Sequence, residues 1–82
     1  MRFKEHQRAC VRAGIDEKIC EEVNRWMDEP VRWLGPWHRA ERHSIEDCLR
    51  KAIEYAVHGW DKANQAFSAC ILHLALDDML SK

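Results

Sequence analysis

The chain has 82 residues and a formal net charge of −1, from 13 basic and 14 acidic residues. This length fits one small domain, and the balanced charge produces no overall field that would attract nucleic acid or acidic lipid. No apolar run approaches the roughly 18 residues of a membrane-spanning helix, and the N-terminal residues lack the apolar core of a signal peptide. We therefore expect a cytoplasmic protein without a membrane partner.

The N-terminal half predicts helices separated by turn residues. Apolar residues recur there at helical spacing, and no alternating β-branched run indicates a strand. The first helix is predicted over residues 3–13, and Gly14 follows as a left-handed stop. Asp16 is a suitable N-cap for a second helix that reaches about Asp28. A short third helix is predicted over residues 31–34, after a proline that suits a first helical turn.

The C-terminal half predicts two further helices. Ser44 is an N-cap with a weak capping box, and Gly59 ends this fourth helix. Asp61 caps the last helix, which continues to near Leu80 and is apolar on nearly all sides of its middle part. Such a helix packs on more than one side. The sequence therefore predicts an all-α domain over residues 1–82, a compact bundle of four to five short helices with the C-terminal helix central.

The four cysteines are widely spaced, which excludes a zinc knuckle or a thioredoxin-type CxxC motif. Each occupies an apolar position of a predicted helix, where a free cysteine behaves as a small buried hydrophobe. Reduced thiols are also the norm in the cytoplasm. We therefore predict that all four are reduced and mostly buried. They are Cys10, Cys20, Cys48 and Cys70.

A pair of polar residues on the last helix needs an explanation. His73 and Asp77 are four residues apart and so lie one turn above the other on an apolar helix. A buried ionised carboxylate is costly unless it is paired or ligated. His38 and His43 precede the N-cap Ser44, where the chain bends and can bring both imidazoles to this pair. Three histidines and one carboxylate suit zinc, iron or manganese, so we predict a divalent metal site.

Two motifs carry a family resemblance. The pattern HRxxxHS at residues 38–44, followed by HLxLD at residues 73–77, resembles motifs of predicted metal-dependent hydrolases of the bacterial inner membrane that are induced by DNA damage. The resemblance covers about half of the chain, and an upstream acidic motif of that family matches only loosely at residues 28–30. It implies metal binding, with a bound water as nucleophile. The residues that correspond to those thought to hold metal are His38, His43, His73 and Asp77.

A purely structural network is an alternative to the metal site. An arginine near the histidine motif can pair with an acidic residue of the last helix without any metal. The pairs would join Arg39 or Arg42 to Asp77 or Asp78. The two remaining histidines, His6 and His58, are interpreted as solvated surface residues.

Two sequence features bear on possible binding partners. The tryptophans Trp26, Trp33 and Trp37 can form the seam of a homodimer or grip a protein partner, which would make the chain a non-catalytic interaction or dimerisation module. Residues 7–26 loosely fit a helix-turn-helix. Acidic residues on its second helix would repel phosphates, so nucleic-acid binding is disfavoured. No catalytic residue can be assigned from the sequence.

Overall fold

The computed structural model describes residues 3–29 and 42–80, without the side chain of Leu80. These residues form helices and connecting turns, and no strand occurs among them. The predicted all-α fold class is confirmed, whereas the predicted helix over residues 31–34 lies outside the described ranges. The helices are α1 (Phe3–Arg12), α2 (Glu17–Asp28), α3 (Ile45–Tyr55) and α4 (Trp60–Leu80), with a 3-10 turn (Ala56–His58) between α3 and α4.

Local signals act as predicted at the starts of α2 and α3. Gly14 has a φ of +89°, the left-handed conformation that ends α1. The Asp16 side chain accepts hydrogen bonds from two backbone N–H groups in the first turn of α2. The Ser44 hydroxyl accepts from the backbone N–H of Asp47 and donates to its carboxylate. These caps fix where α2 and α3 begin, and hence the positions of the residues that flank them.

The junction of α3 and α4 differs from the prediction. α3 ends at Tyr55, and a 3-10 turn, common at helix ends, continues the chain to Gly59. α4 begins at Trp60, one residue before the predicted cap, so Asp61 lies inside its first turn. The Gly59 carbonyl accepts the hydrogen bond from Ala63 that starts α4. The N-cap assignment for Asp61 was therefore wrong by two residues, although the acidic side chain still suits a helix N-terminus.

The C-terminal helix is central, as predicted, because α4 packs against α1, α2 and α3. Its buried apolar side chains, those of Ala63, Ala66, Ala69 and Cys70, are small, which lets the other helices approach closely. No helix in the described residues combines the length and hydropathy that crossing a bilayer requires. The core consists of Cys10, Ile15, Ile19, Cys20, Val23, Met27, Cys48, Ala66, Ala69 and Cys70.

The prediction of reduced cysteines was wrong. Cys10 pairs with Cys20 and joins α1 to α2, and Cys48 pairs with Cys70 and joins α3 to α4. The Cα atoms are 5.9 and 5.4 Å apart, within the usual range for a disulfide. The sequence correctly predicted that all four cysteines lie on buried helix faces. The packing of the helices brings these faces together in pairs, and the cysteines on them form disulfides. Disulfides are typical of oxidising compartments. The disulfide pairing therefore does not support the cytoplasmic location, which stays a prediction.

Candidate metal centre

Among the described residues, five side chains that can ligate a metal meet beside the C-terminal part of α4, and we call them the His/Asp cluster. They form two overlapping groups that share His73, and within each group the ligand atoms lie within 4.8 Å of one another. Four of the side chains are at most 8% exposed, and only that of Asp28 is more open, at 29%. The members are His6 of α1, Asp28 of α2, His43 in the segment before α3, and His73 and Asp77 of α4.

The separations within the cluster match those of ligands around one ion. His73 Nε2 lies 3.3 Å from Asp28 Oδ1 and 3.3 Å from Asp77 Oδ2. His43 Nε2 lies 3.6 and 3.8 Å from the same two oxygens, that of Asp77 being the nearer. His6 Nε2 lies 3.0 Å from Asp77 Oδ1. Metal–ligand bonds of about 2.0–2.2 Å place neighbouring tetrahedral ligands about 3.3 Å apart, so a divalent cation fits between these atoms.

Ring packing fixes the orientation of the imidazoles. The His6 and His73 rings are stacked, with centroids 3.8 Å apart and planes inclined by 13°. The His43 ring meets His73 edge to face, with centroids 5.3 Å apart. Side chains held by neighbours in this way keep their ligand atoms aimed at one point, which is what a binding site needs from its surroundings.

The Asp28 carboxyl is ionised more readily than an ordinary aspartate. Its partial burial by itself raises the pKa, but the close contact with His73 and the positive charge that His73, His6 and His43 can carry lower the pKa below its usual value. An ionised carboxylate is the form that binds a cation. The most open residue of the cluster is therefore also in a ligating state over a wide pH range.

A chain of amide groups supports His73 from behind, and we call it the amide relay. His73 Nδ1 lies 2.9 Å from Asn24 Oδ1. Asn24 Nδ2 donates to Gln7 Oε1 at 3.3 Å, and Gln7 Nε2 donates to the backbone carbonyl of Glu17 at 3.0 Å. Asn24 is buried, with 1% exposure. The opposite ring nitrogen, His73 Nε2, is buried in the cluster and makes no aligned hydrogen bond.

The structure brings three of the four predicted metal ligands together. His43, His73 and Asp77 form one of the two groups in the cluster. His38 lies outside the described residues, as does Arg39. The interpretation of His58 as a surface residue is confirmed, since it is exposed in the 3-10 turn.

Two members of the cluster were missed from the sequence. His6 was interpreted as a surface residue, which was wrong, because it is 2% exposed and bonded to Asp77. It lies four residues before the buried Cys10, on the same face of α1, and that spacing was the available signal. Asp28 was considered only as part of a loose motif match. It lies four residues after the buried Asn24 on α2 and ends that helix beside the cluster.

Arg42 was considered above for a structural network, and Trp26 for a dimer seam. The two side chains contact each other, and each also contacts a further residue of the same chain. Arg42 Nη1 donates to the Glu29 carboxylate at 2.9 Å and to the Trp26 carbonyl at 3.0 Å. The Trp26 ring packs against the core and has the cations of Arg42 and Lys51 over it, 5.2 and 4.8 Å from its centroid. Trp33 and Trp37 lie outside the described residues. Trp26 therefore contributes to the packing within one chain.

Comparisons with known proteins add no assignment to this geometry. No protein-family model, curated protein or solved structure matches the chain.

Proposed function

We propose that this protein binds one divalent cation in the His/Asp cluster. The observation that supports the proposal is the position of His73 Nε2, buried without an aligned hydrogen bond and 3.3 Å from an oxygen of each of two carboxylates. A nitrogen lone pair that faces two anionic oxygens is unfavourable at low dielectric unless a proton or a metal ion lies between them, and we propose the metal ion. An imidazole nitrogen has one lone pair, so the two groups that share His73 share a single ion.

The ligand types narrow the choice of metal. Imidazole nitrogens suit zinc, iron and manganese, and carboxylates add affinity for the harder of these ions. Three histidines and two aspartates in the described residues exceed the four ligands of a closed structural zinc site. We therefore propose zinc, iron or manganese. When a water molecule occupies one coordination position of the ion, fewer than five side chains are bound to the ion at that time.

The finer proposal is that the site is hydrolytic. A divalent cation bound here supplies an acidified water molecule as nucleophile. Asp28 is the most exposed residue of the cluster, so the proposal requires substrate to approach the ion from its side, at the C-terminal end of α2. Its carboxylate can accept the proton of the attacking water. The resemblance of the motifs at residues 38–44 and 73–77 to those of metal-dependent hydrolases supports the same reaction class.

The test is elemental analysis and metal titration of protein purified without a histidine tag. We expect about one equivalent of metal in the wild type and a loss of binding in His73→Ala, because His73 belongs to both ligand groups. His58→Ala is the matched control, since His58 is exposed and outside the cluster, and it should bind like the wild type. The same preparations are assayed with chromogenic carboxylic and phosphoric esters, with activity expected only when metal is bound.

Two results would contradict these proposals. A metal-free wild type whose melting temperature ignores added zinc, manganese and iron would refute the metal site. Metal binding without hydrolysis of either ester class, or hydrolysis that survives in His73→Ala, would refute the hydrolytic role and leave a binding protein.

The homodimer stays a second prediction. A row of exposed apolar residues on α3 favours it: Ile45, Leu49 and Ile53 recur every four residues and are 62%, 50% and 71% exposed. A row on one helix face can pair with the same row of a second copy about a two-fold axis. We expect a dimer mass by light scattering for the wild type and a monomer for Ile53→Lys, with Val11→Lys on α1 as control. A monomeric wild type at high concentration would exclude the dimer.

A further inference from the structure

We propose that Asn24 and Gln7 are positioning residues that hold His73 in the tautomer with its proton on Nδ1. The Nε2 lone pair of His73 then always faces the cation site. This inference rests on the proposed metal-binding function, and it names two residues that act on the metal through His73 without touching it. Neither residue carries a group that ligates metal in the cluster.

The direction of the amide relay follows from its first member. The Glu17 backbone carbonyl can only accept a hydrogen bond, so Gln7 must turn its Nε2 toward it. Gln7 Oε1 then faces Asn24, which must offer its Nδ2 as the donor. Asn24 Oδ1 consequently faces the ring of the histidine, and this oxygen is an acceptor. The nitrogen opposite it, Nδ1 of the histidine, must carry the proton.

The amide relay opposes the tautomer of His73 that the His/Asp cluster by itself would favour. Without a fixed partner on Nδ1, the proton of a neutral imidazole would move to Nε2, between the carboxylates of Asp28 and Asp77. A proton on that nitrogen occupies the lone pair that a metal needs. The acceptor supplied by Asn24 holds the proton on the opposite side of the ring. Partners of this kind behind a metal-binding histidine fix its tautomer and raise its basicity.

The relay also lies where it can hold the site together. Gln7 follows His6 directly on α1, and Asn24 lies one turn before Asp28 on α2. The hydrogen bond between the two amides therefore joins the helices that carry two of the proposed ligands. A substitution of Gln7 or Asn24 affects the His73 ring only through Asn24, because the Asn24 side chain makes the contact to His73 Nδ1.

The test reads the tautomer of His73 directly, by long-range proton–nitrogen NMR correlation of metal-free protein above neutral pH. We expect the Nδ1–H form in the wild type. Asn24→Leu removes the acceptor and should shift His73 to the Nε2–H form and lower the affinity for zinc by about 10- to 100-fold. Asn24→Asp keeps an acceptor opposite Nδ1 and should retain the tautomer, although its second oxygen can no longer donate to Gln7 Oε1. Asn64→Leu, at an exposed position of α4, is the control and should change neither.

Variants of Gln7 test the next link of the relay. Gln7→Glu keeps an acceptor for Asn24 Nδ2, so the tautomer and the affinity should stay as in the wild type. Gln7→Leu removes that acceptor, lets the Asn24 amide turn over, and should lower zinc affinity in the same direction as Asn24→Leu by a smaller factor. Circular dichroism confirms that each variant is folded before zinc is added.

The outcomes separate this inference from the proposed function. A wild type with the proton on Nε2, or a folded Asn24→Leu that keeps both tautomer and zinc affinity, would overturn the relay. A tautomer that changes as expected in a protein that binds no zinc would support the relay and overturn the metal site. Loss of affinity in Asn24→Leu, with the Nδ1–H tautomer retained in Asn24→Asp, supports both.

Discussion

Chelation of the bound cation should lower the melting temperature of this protein by roughly 20 °C. A metal that binds only the native state stabilises it by about 4 kcal/mol when its free concentration is about a thousandfold above Kd. In a domain of this size, 1 kcal/mol shifts the melting temperature by about 4–8 °C. The effect is large because the chelated protein also retains the buried carboxylate of Asp77 and the partly exposed one of Asp28 beside three imidazoles with no ion among them. Thermal melts followed by circular dichroism, with and without excess chelator, measure it.

Two histidine variants make this result specific. His73→Ala should melt at the same temperature with and without chelator, because it has lost the ligand that both groups share. His58→Ala, which is exposed, should show the full shift of the wild type. A wild type whose melting temperature changes by less than a few degrees on chelation would show that the cluster is held by its own hydrogen bonds and ion pairs.

Removal of either disulfide should lower the free energy of unfolding by about 3 kcal/mol. A cross-link restricts the unfolded chain, and the effect grows slowly with the length of the closed loop. The two disulfides span sequence separations of 10 and 22 residues, so their contributions are of similar size. Urea unfolding of the paired serine variants, Cys10→Ser with Cys20→Ser and Cys48→Ser with Cys70→Ser, measures each contribution.

The disulfides also bear on the metal centre, since one joins two helices that carry proposed ligands and the other joins α4 to the helix that follows His43. Cys10–Cys20 joins α1 and α2, which carry His6 and Asp28, and the second disulfide holds α4 to α3. A reductant should therefore lower metal affinity in the wild type and have no effect on a variant with all four cysteines replaced by serine. Thiol titration of the denatured, unreduced wild type should give no free thiols, and four free thiols there would contradict the pairing.

Helix positions could be predicted because they depend on neighbouring residues. The hydroxyl of Ser44 and the carboxylate of Asp16 cap helices within one turn of their own positions, and Gly14 adopts its left-handed φ whatever lies elsewhere in the chain. The apolar surface of α4 on several sides likewise indicated a central helix before any packing was known. The junction before the last helix was misplaced by two residues, because Gly59 and Asp61 are both plausible helix starts.

Part of the site was also accessible from the sequence. His73 and Asp77 share a face of an apolar helix, and the cost of burying them unsatisfied pointed to a ligand or partner without knowledge of the fold. His43 was added because the N-cap that follows it bends the chain. These inferences depend on helix geometry and burial, which the sequence pattern carries.

Only the tertiary structure determined which helix faces contact one another. His6 bonds to Asp77 across a sequence separation of 71 residues, and Asn24 reaches His73 across 49. The pairing of Cys10 with Cys20 likewise required the packing of α1 on α2. Contacts of this kind depend on the angles and offsets at which helices pack, and many arrangements satisfy the same apolar periodicity. The sequence therefore determined the helices and three of the five members of the His/Asp cluster, while the packing of α1 and α2 against α4 determined its other two members and the relay that orients it.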